Sequence, residues 1–183
     1  MMHKIIKESL KVLIIGSLLS SIGGLSLEII KDKLSIVLPL IIILPAFASM
    51  IGNAGIISVS KITTYLYSGK ININKMKNKT TLNLFFLLLF IFCLSAFYVT
   101  FLSLLIAYLK GFIIDINFIF NISFIMLLTS MVIVSLVFFV AVIGSKYAFK
   151  REIDPDDLLI PVTTSIADLG SLIVFSLLVF FIL

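Results

Sequence analysis

Residues 44–55 read LPAFASMIGNAG and place a proline, several small residues and a Gly-Asn-Ala-Gly motif inside a long apolar run. In a water-soluble protein this composition would be typical of a turn. In a bilayer, non-helical backbone is tolerated only where it is buried in protein or lines a water-filled cavity. We therefore interpret the segment as one wall of a polar path across a membrane, and we expect the rest of the chain to supply a matching wall.

The composition also indicates a membrane protein. Of the 183 residues, 61% are hydrophobic and 13% are charged, and the mean hydropathy is +1.29, which is far too apolar for a soluble domain. The net charge is +5, and basic residues in such a chain mark the cytoplasmic face rather than a nucleic-acid site. Because Cys93 and His3 are the only residues of their types, disulfide frameworks and Cys/His metal sites are excluded within a single chain.

Five apolar runs are long enough to cross a hydrocarbon core of about 30 Å. They cover approximately residues 10–27, 34–60, 82–109, 118–145 and 158–183. The first run follows several lysines, as a signal peptide does, but it lacks an A-x-A-like cleavage site and continues into a charged loop, so we interpret it as a retained span. The sequence thus predicts an all-α membrane protein of five transmembrane helices, with residues 1–183 forming one domain and no cytoplasmic regulatory domain.

The basic residues are distributed unevenly between the two sides of these spans. Eleven lie on the side of the N-terminus: Lys4, Lys7, Lys11, Lys61, Lys70, Lys75, Lys77, Lys79, Lys146, Lys150 and Arg151. Three lie on the other side: Lys31, Lys33 and Lys110. The positive-inside rule therefore predicts a cytoplasmic N-terminus and a C-terminus outside.

Asp168 is the only acidic residue deep within a predicted span. Counted from Leu158, it lies about 15 Å into span five, close to the bilayer centre. Ionisable residues at that depth are costly and indicate function; the alternative is an interhelical hydrogen bond or a partner for Lys61. One helical face of the span contains residues at offsets of four, seven, eleven and fourteen from Asp157: Asp157, Pro161, Thr164, Asp168 and Ser171. Pro161 also leaves a carbonyl without its helical donor. The remaining face of the span is rich in Leu, Ile, Val and Phe and can meet lipid.

A second stripe of polar side chains runs along span two. It consists of Ser49, Asn53, Ser60 and Thr64, interrupted by Ile56 and Ile57. Counted from Pro39, Asn53 lies about 21 Å from the outer face and within about 6 Å of the depth of Asp168, so the two stripes are expected to meet. Gly52 and Gly55 permit close approach or local unwinding. The alternative is that prolines and glycines are simply common in transmembrane helices.

Acidic residues near the membrane surfaces have two interpretations each. Glu28, at the outer end of span one, is either solvated at the interface or part of a pore mouth. Asp154, Asp156 and Asp157 either stabilise the N-terminus of span five through the helix dipole or gather cations on the cytoplasmic side.

One carboxylate within five helices does not balance a divalent cation. Two chains around a two-fold axis, the commonest oligomeric arrangement, would bring two copies of Asp168 to one pathway and match a charge of +2. Mg²⁺ dehydrates reluctantly and usually keeps several waters, so sparse carboxylates with Asn, Thr and backbone oxygens suit it better than a dense cage. The sequence therefore predicts a dimer.

Enzymatic functions lack the residues that they require. A zinc-dependent intramembrane protease needs a His-Glu-x-x-His type of site, and His3 is the only histidine. An intramembrane aspartyl protease needs two aspartates within spans, and only Asp168 qualifies. Since there is also no P-loop, we expect that the protein is not an enzyme.

Three sequence blocks carry a family resemblance. They are GGLSLE at 23–28, P-x6-G-N-A-G at 45–55 and D-P-D-D-x3-P-V-T-T-x3-D-x-G at 154–170. In order and spacing they resemble the integral membrane domain of MgtE-type magnesium transporters and channels and of their eukaryotic solute-carrier relatives. The resemblance covers nearly the whole chain. It implies a five-helix protomer, a dimer with a pore lined by spans two and five, and Mg²⁺ as the transported ion, with no separate cofactor.

The resemblance also implies roles for individual residues. Asp168 would be the central ion-site carboxylate, and the carbonyl of Thr164 and the Gly52/Asn53 region would help to hold the hydrated ion. The candidate metal-site residues are Asp168, Thr164, Asn53, Gly52, Gly55 and Glu28.

Some features differ from the typical members of that family. Ile51 and Ile57 replace the first glycine and the glutamine of the Gly-Gly-Asn-x-Gly-x-Gln motif of bacterial members, which leaves Co²⁺, Ni²⁺ and Mn²⁺ open beside Mg²⁺. Bacterial members also commonly carry cytoplasmic N-terminal and CBS domains that sense magnesium, and we expect neither here. The eukaryotic relatives hold two copies in one chain, so a homodimer or a heterodimer with a paralogue is expected for this single copy.

Taken together, these patterns predict a divalent cation transporter or channel of the cell membrane, driven by the electrochemical gradient. Its partners would be Mg²⁺ or another divalent cation and the lipid bilayer, without nucleic acid. One alternative is a non-transporting membrane subunit that scaffolds a larger complex, in which Asp168 docks helices. Another is a binding subunit of a multi-component importer, which would have a closed pocket within one protomer.

Overall fold

The computed structural model describes residues 2–72 and 78–183, and the side chains of residues 10, 14, 16–72 and 78–183. Over this part of the chain the fold is all-α. Its elements are α1 (Met2–Leu25), a 3₁₀ helix (Ser26–Ile30), α2 (Lys31–Ile36), α3 (Leu38–Tyr67), α4 (Lys79–Leu109), α5 (Ile116–Lys150) and α6 (Pro155–Ile182). Among the lysines used to predict the topology, Lys75 and Lys77 and the side chains of Lys4, Lys7 and Lys11 lie outside the described residues.

Four of the described helices, α3 to α6, are long and apolar enough to cross a membrane. The shortest has 28 residues, which at about 1.5 Å per residue exceeds the hydrocarbon thickness of about 30 Å. The chain is therefore a multi-pass membrane protein, as predicted. The first predicted span coincides with helix α1, many of whose side chains lie outside the described part. Its crossing of the membrane and the sidedness of the termini stay predictions.

A break between α2 and α3 interrupts the predicted second span. Val37, with φ −102° and ψ 89°, separates the two helices, and Pro39 lies in the first turn of α3. If α2 continued, the ring of Pro39 would clash with the carbonyl of Ser35. In the first turn of a new helix the backbone N–H groups have no helical acceptor, so proline, which lacks an N–H, is tolerated there. Beyond this break α3 is continuous through Pro45 to Tyr67. The Gly-Asn-Ala-Gly motif is therefore helical and not unwound.

Helix α6 lies at the centre of the bundle. It contacts α1, α3 and α5, while α4 packs on the outside against α3 and α5. Leu177, Phe180 and Phe181 of α6 are exposed and many of its other apolar residues are half-buried, so the contact of its apolar face with lipid stays a prediction. An apolar helix that faces protein and one that faces lipid have similar compositions, because lipid tails are as apolar as leucine.

Contacts along α6 give the relative directions of its neighbours. Successive pairs between α3 and α6 are Phe47 with Phe175, Gly52 with Asp168, and Gly55 with Thr163. Successive pairs between α1 and α6 are Gly16 with Ser165, Ser20 with Asp168, and Ser26 with Ser176. Helix α3 is therefore antiparallel to α6, and α1 is parallel to it, which agrees with the order of the predicted spans.

The N-terminus of α6 is capped by its own acidic residues. The carboxylate of Asp154 accepts a hydrogen bond from the backbone N–H of Asp156 at 3.0 Å, and Pro155 is the first residue of the helix. This geometry satisfies one of the free N–H groups of the first turn. It supports the helix-terminal interpretation of this acidic cluster.

Candidate functional site

An open cavity of about 430 Å³ lies where α1, α3 and α6 meet. It is lined by Ser20, Ala48, Ser49, Gly52, Asn53, Ile56, Thr164, Asp168 and Leu172. Four of the six candidate metal-site residues are in this set: Asp168, Thr164, Asn53 and Gly52. The structure therefore brings together the two polar stripes that the sequence placed on separate spans.

The cavity lies at half the length of both long helices. Asp168 is the fourteenth of the 28 residues of α6, and Gly52 is the fifteenth of the 30 residues of α3. Because both helices are long enough to span the hydrocarbon core, their midpoints fall near the bilayer centre. Polar groups at that depth are costly and indicate a functional site.

The two carboxylate oxygens of Asp168 face different helices. Oδ2 accepts a hydrogen bond from the hydroxyl of Ser20, on α1, at 3.3 Å. Oδ1 faces α3 and lies 3.4 Å from the position that a Cβ atom of Gly52 would occupy. The absence of a side chain at Gly52 therefore keeps space open beside the carboxylate. Among the described ion pairs none joins Asp168 to Lys61, which is exposed on α3.

The α3 side of the cavity opens onto the surface of the protomer. Ser49, Asn53 and Ile56 line the cavity and are exposed. Further along α3, the polar stripe continues through half-buried Ser60 to exposed Thr64, whose hydroxyl donates to the Ser60 carbonyl at 2.7 Å. The cavity is thus an open recess and not a closed pocket within one protomer.

Thr164 lies one turn before Asp168 and its hydroxyl is held by its own helix. The hydroxyl lies 2.9 Å from the carbonyl of Ile160 and 3.0 Å from that of Pro161, within donating distance of both. Since a hydroxyl oxygen has two lone pairs and here donates its proton to the backbone, its oxygen remains able to accept a hydrogen bond from water or to face a cation.

The other two candidates, Gly55 and Glu28, lie outside the cavity. A Cβ atom on Gly55 would lie 3.0 Å from the backbone carbonyl carbon of Thr163, so this glycine serves the close packing of α3 on α6. Glu28 lies on the 3₁₀ helix, where its carboxylate is 3.8 Å from Lys31 Nζ and its side chain is 73% exposed. That environment matches the solvated interpretation of Glu28.

Ser20 is the polar cavity residue that the sequence reasoning did not identify. Ser17 and Ser21 lie beside it in the same helix, and no polar stripe distinguishes Ser20 from them. A weaker signal was present, because Gly16, Ser20 and Gly23 are small residues at spacings of four and three, which place them on one face of α1. That face predicts close helix packing but does not identify the partner.

A single protomer offers one acidic side chain to the cavity. In the described residues no group of three or more His, Cys, Asp or Glu side chains is placed to hold a metal ion. A cation that enters the recess meets one carboxylate together with hydroxyl, amide and backbone oxygens. Such oxygen ligands suit hard cations that retain much of their water.

The comparison with protein families decides the class of the protein. The model of the MgtE family, described as divalent cation transporters, matches residues 44–178. The chain belongs to the MgtE family. No curated protein and no solved structure matches it.

Membership of the MgtE family confirms the class predicted from the sequence blocks. The matched segment contains two of the three blocks and all of the cavity residues except Ser20. The chain is therefore an MgtE-family transporter membrane domain and not an enzyme, and its transported substrate is a divalent cation.

Proposed function

We propose that two copies of this MgtE-family chain form a pore for Mg²⁺ in the cell membrane. The pore is lined by α3 and α6, and hydrated Mg²⁺ passes the Asp168 carboxylate, with the Thr164 carbonyl, Asn53 and Gly52 around it. The N-terminus is cytoplasmic. The observation that carries this proposal is the open recess at half the length of the two helices, whose lining includes the carboxylate of Asp168.

The size of the recess suits an ion that keeps its water. An octahedral shell of six waters occupies about 180 Å³ at about 30 Å³ per water, whereas the recess of one protomer has about 430 Å³. By volume, the recess is thus large enough for a Mg²⁺ ion with its first water shell. Mg²⁺ dehydrates reluctantly. A wide site with few charges therefore binds the hydrated ion weakly and lets it pass.

The exposed position of the recess supports a dimer. In a lone protomer, Ser49 and Asn53 would face lipid near the bilayer centre, where a polar group without a partner is costly. A second copy that covers this face removes the polar groups from lipid and adds a second Asp168. Two carboxylates then match the charge of one divalent ion.

The electrochemical gradient supplies the driving force. A membrane potential that is negative inside favours the entry of a divalent cation by about 4.6 kcal/mol for every 100 mV. No nucleotide site is required in the chain for uptake in this direction. The match to a transporter family and the open shape of the recess favour this function over a scaffolding subunit or an importer subunit with a closed pocket.

The proposal is tested by Mg²⁺ flux into proteoliposomes that contain the purified protein. The variant Asp168→Asn keeps the size of the side chain but removes its charge, so we expect flux to fall at least tenfold while the dimer stays intact. Asp32→Asn, at an exposed position on α2, is the matched control and should retain wild-type flux. Unchanged Mg²⁺ flux in Asp168→Asn, or no flux from a folded wild-type dimer at either polarity, would contradict the proposal.

Selectivity is tested in the same vesicles by competition. Excess Co²⁺, Ni²⁺ or Mn²⁺ is added outside while Mg²⁺ entry is followed. We expect Mg²⁺ to be preferred, because a site that leaves the water shell in place does not exploit the stronger inner-shell binding of transition metals. A preference for Ni²⁺ or Co²⁺ would show instead that the ion is dehydrated at the site.

A further inference from the structure

Helix α1 forms a third wall of the cation recess, beside α3 and α6. Ser20, on α1, lines the recess, and its hydroxyl lies 3.3 Å from Asp168 Oδ2. The Ser20 hydroxyl has a proton to donate, whereas an ionised carboxylate only accepts. This contact therefore joins α1 directly to the group that we assign to the ion.

Close packing of α1 on α6 fixes the position of Ser20. One turn before it, a Cβ atom on Gly16 would lie 2.5 Å from Ser165 Oγ, and one turn after it, a Cβ atom on Gly23 would lie 3.0 Å from the Cα atom of Leu169. A larger side chain at Gly23 would press on the backbone of α6, and one at Gly16 would displace the Ser165 hydroxyl. The two glycines thus allow α1 to approach α6 closely enough for the Ser20 hydroxyl to reach Asp168.

The neighbouring serines of α1 behave differently. The hydroxyl of Ser17 donates to the carbonyl of Ile14 at 2.9 Å, and that of Ser21 donates to the carbonyl of Ser17 at 2.8 Å. Both are exposed and both bond to their own helix, as serines in apolar helices commonly do. Ser20 instead directs its hydroxyl across the helix interface, so its contact with Asp168 is not a general property of serines in α1.

From this geometry we propose that Ser20 is a positioning residue for cation transport. Its hydroxyl holds Oδ2 of Asp168 and thereby fixes the rotation of the carboxylate, so that Oδ1 stays directed at the open space beside Gly52. Among the described side chains, Ser20 is the one that donates to this carboxylate, and a preorganised ligand binds its cation without first being ordered. The inference rests on the proposed role of Asp168 at the ion site.

The test compares the dependence of flux on Mg²⁺ concentration among variants in proteoliposomes. Ser20→Ala removes the donor, and we expect the half-saturating Mg²⁺ concentration to rise about three- to tenfold, the effect of losing one hydrogen bond to a charged group, with a smaller change in maximal flux. Ser20→Thr keeps the hydroxyl and should restore the wild-type value. Ser21→Ala, the adjacent exposed serine, is the matched control and should change neither quantity.

A second substitution keeps the test decisive if Ser20→Ala disturbs folding. Ser20→Cys has nearly the size of serine but a weak S–H donor, so its half-saturating concentration should lie between those of wild type and Ser20→Ala. Thermal unfolding midpoints in detergent identify variants whose fold is changed. Equal half-saturation in wild type, Ser20→Ala and Ser20→Cys would overturn the positioning role.

The failure of this inference is distinguishable from the failure of the proposed function. If Asp168→Asn abolishes flux but the Ser20 variants resemble Ser21→Ala, only the role of Ser20 is wrong. If Asp168→Asn retains wild-type flux, the carboxylate is not at the ion site and both proposals are wrong.

Discussion

At the scale of single residues, Lys33 makes a specific contact with the end of α6. It is one of three basic residues on the side of the membrane that the positive-inside rule predicts to be outside. Its Nζ atom donates to the carbonyls of Val179 and Phe180 at 3.0 and 3.1 Å and lies 5.6 Å from the centroid of the Phe180 ring. Both carbonyls lie in the C-terminal part of α6, and that of Val179 also accepts a hydrogen bond from the backbone N–H of Leu183 at 3.2 Å. A cation there also interacts favourably with the helix dipole.

The contacts of Lys33 predict a loss of stability when its charge is removed. We expect Lys33→Met to lower the free energy of unfolding by about 1–2 kcal/mol, since it removes two charge-assisted hydrogen bonds. Thermal unfolding in detergent measures the change. Lys31→Met is the control, because the exposed pair of Lys31 with Glu28 contributes about 0–1 kcal/mol. Equal stability of the two variants would show that Lys33 does not cap α6.

At the scale of helices, the packing of α3 on α6 depends on two glycines with different surroundings. At Gly55 a Cβ atom would lie 3.0 Å from both the backbone carbonyl carbon and Oγ1 of Thr163, which is too close for an unchanged interface. At Gly52 the nearest atom is Asp168 Oδ1 at 3.4 Å, an ordinary contact. The first glycine therefore sets the helix separation, and the second borders the recess.

This difference predicts opposite effects of the same substitution. Gly55→Ala should lower the free energy of unfolding by about 1–2 kcal/mol, because overpacking of a tight interface outweighs the higher helix propensity of alanine. Gly52→Ala should leave stability unchanged or raise it by about 0.5–1 kcal/mol but reduce Mg²⁺ flux, since its methyl group enters the space beside Asp168. Unfolding midpoints and flux, measured on both variants, test the pair. Loss of stability in Gly52→Ala with normal flux would contradict this assignment.

The sequence predicted the helices better than their arrangement. Continuous apolar runs located the four helices that qualify as spans, because a hydrocarbon core requires that length of apolar helix, and counting residues placed Asp168 and Asn53 at matching depths. Hydropathy did not reveal the break at Val37, since it does not register the clash of a proline ring with the preceding turn. The predicted second span ended at Ser60, whereas α3 ends at Tyr67. Hydropathy missed this extension because the last two turns are helical but not uniformly apolar.

Part of the candidate site also required the three-dimensional structure. Asp168, Thr164, Asn53 and Gly52 were predicted from depth, helical spacing and family resemblance, and they line one recess. Ser20 was not, because its role depends on the angle and separation at which α1 meets α6. Helix packing of this kind depends on close contacts such as that between Gly23 and Leu169, which local sequence patterns indicate only by the presence of small residues.

At the scale of the whole molecule, the exposed surface of one protomer is not uniform. Along α4 the exposed side chains include Phe86, Phe90, Leu94 and Tyr98, a surface that suits lipid. Along α3 the exposed side chains include Ser49, Asn53, Lys61 and Thr64, a surface that does not. The two faces thus have different expected neighbours: acyl chains against α4, and water together with a second protein copy against α3.

Cross-linking of single-cysteine variants tests this difference. Cys93, the only cysteine, is first replaced by serine, and Ser49→Cys or Leu94→Cys is then introduced. Both positions are exposed, and Leu94 lies at the middle of α4, so the two thiols are at comparable depths. We expect a short bis-thiol reagent to join two chains through Cys at position 49 but not through Cys at position 94, because only the α3 face meets the second copy. Dimer bands of equal intensity at both positions would indicate random collision in the membrane, and a dimer formed through position 94 alone would place the subunit interface on α4 and separate it from the cation recess.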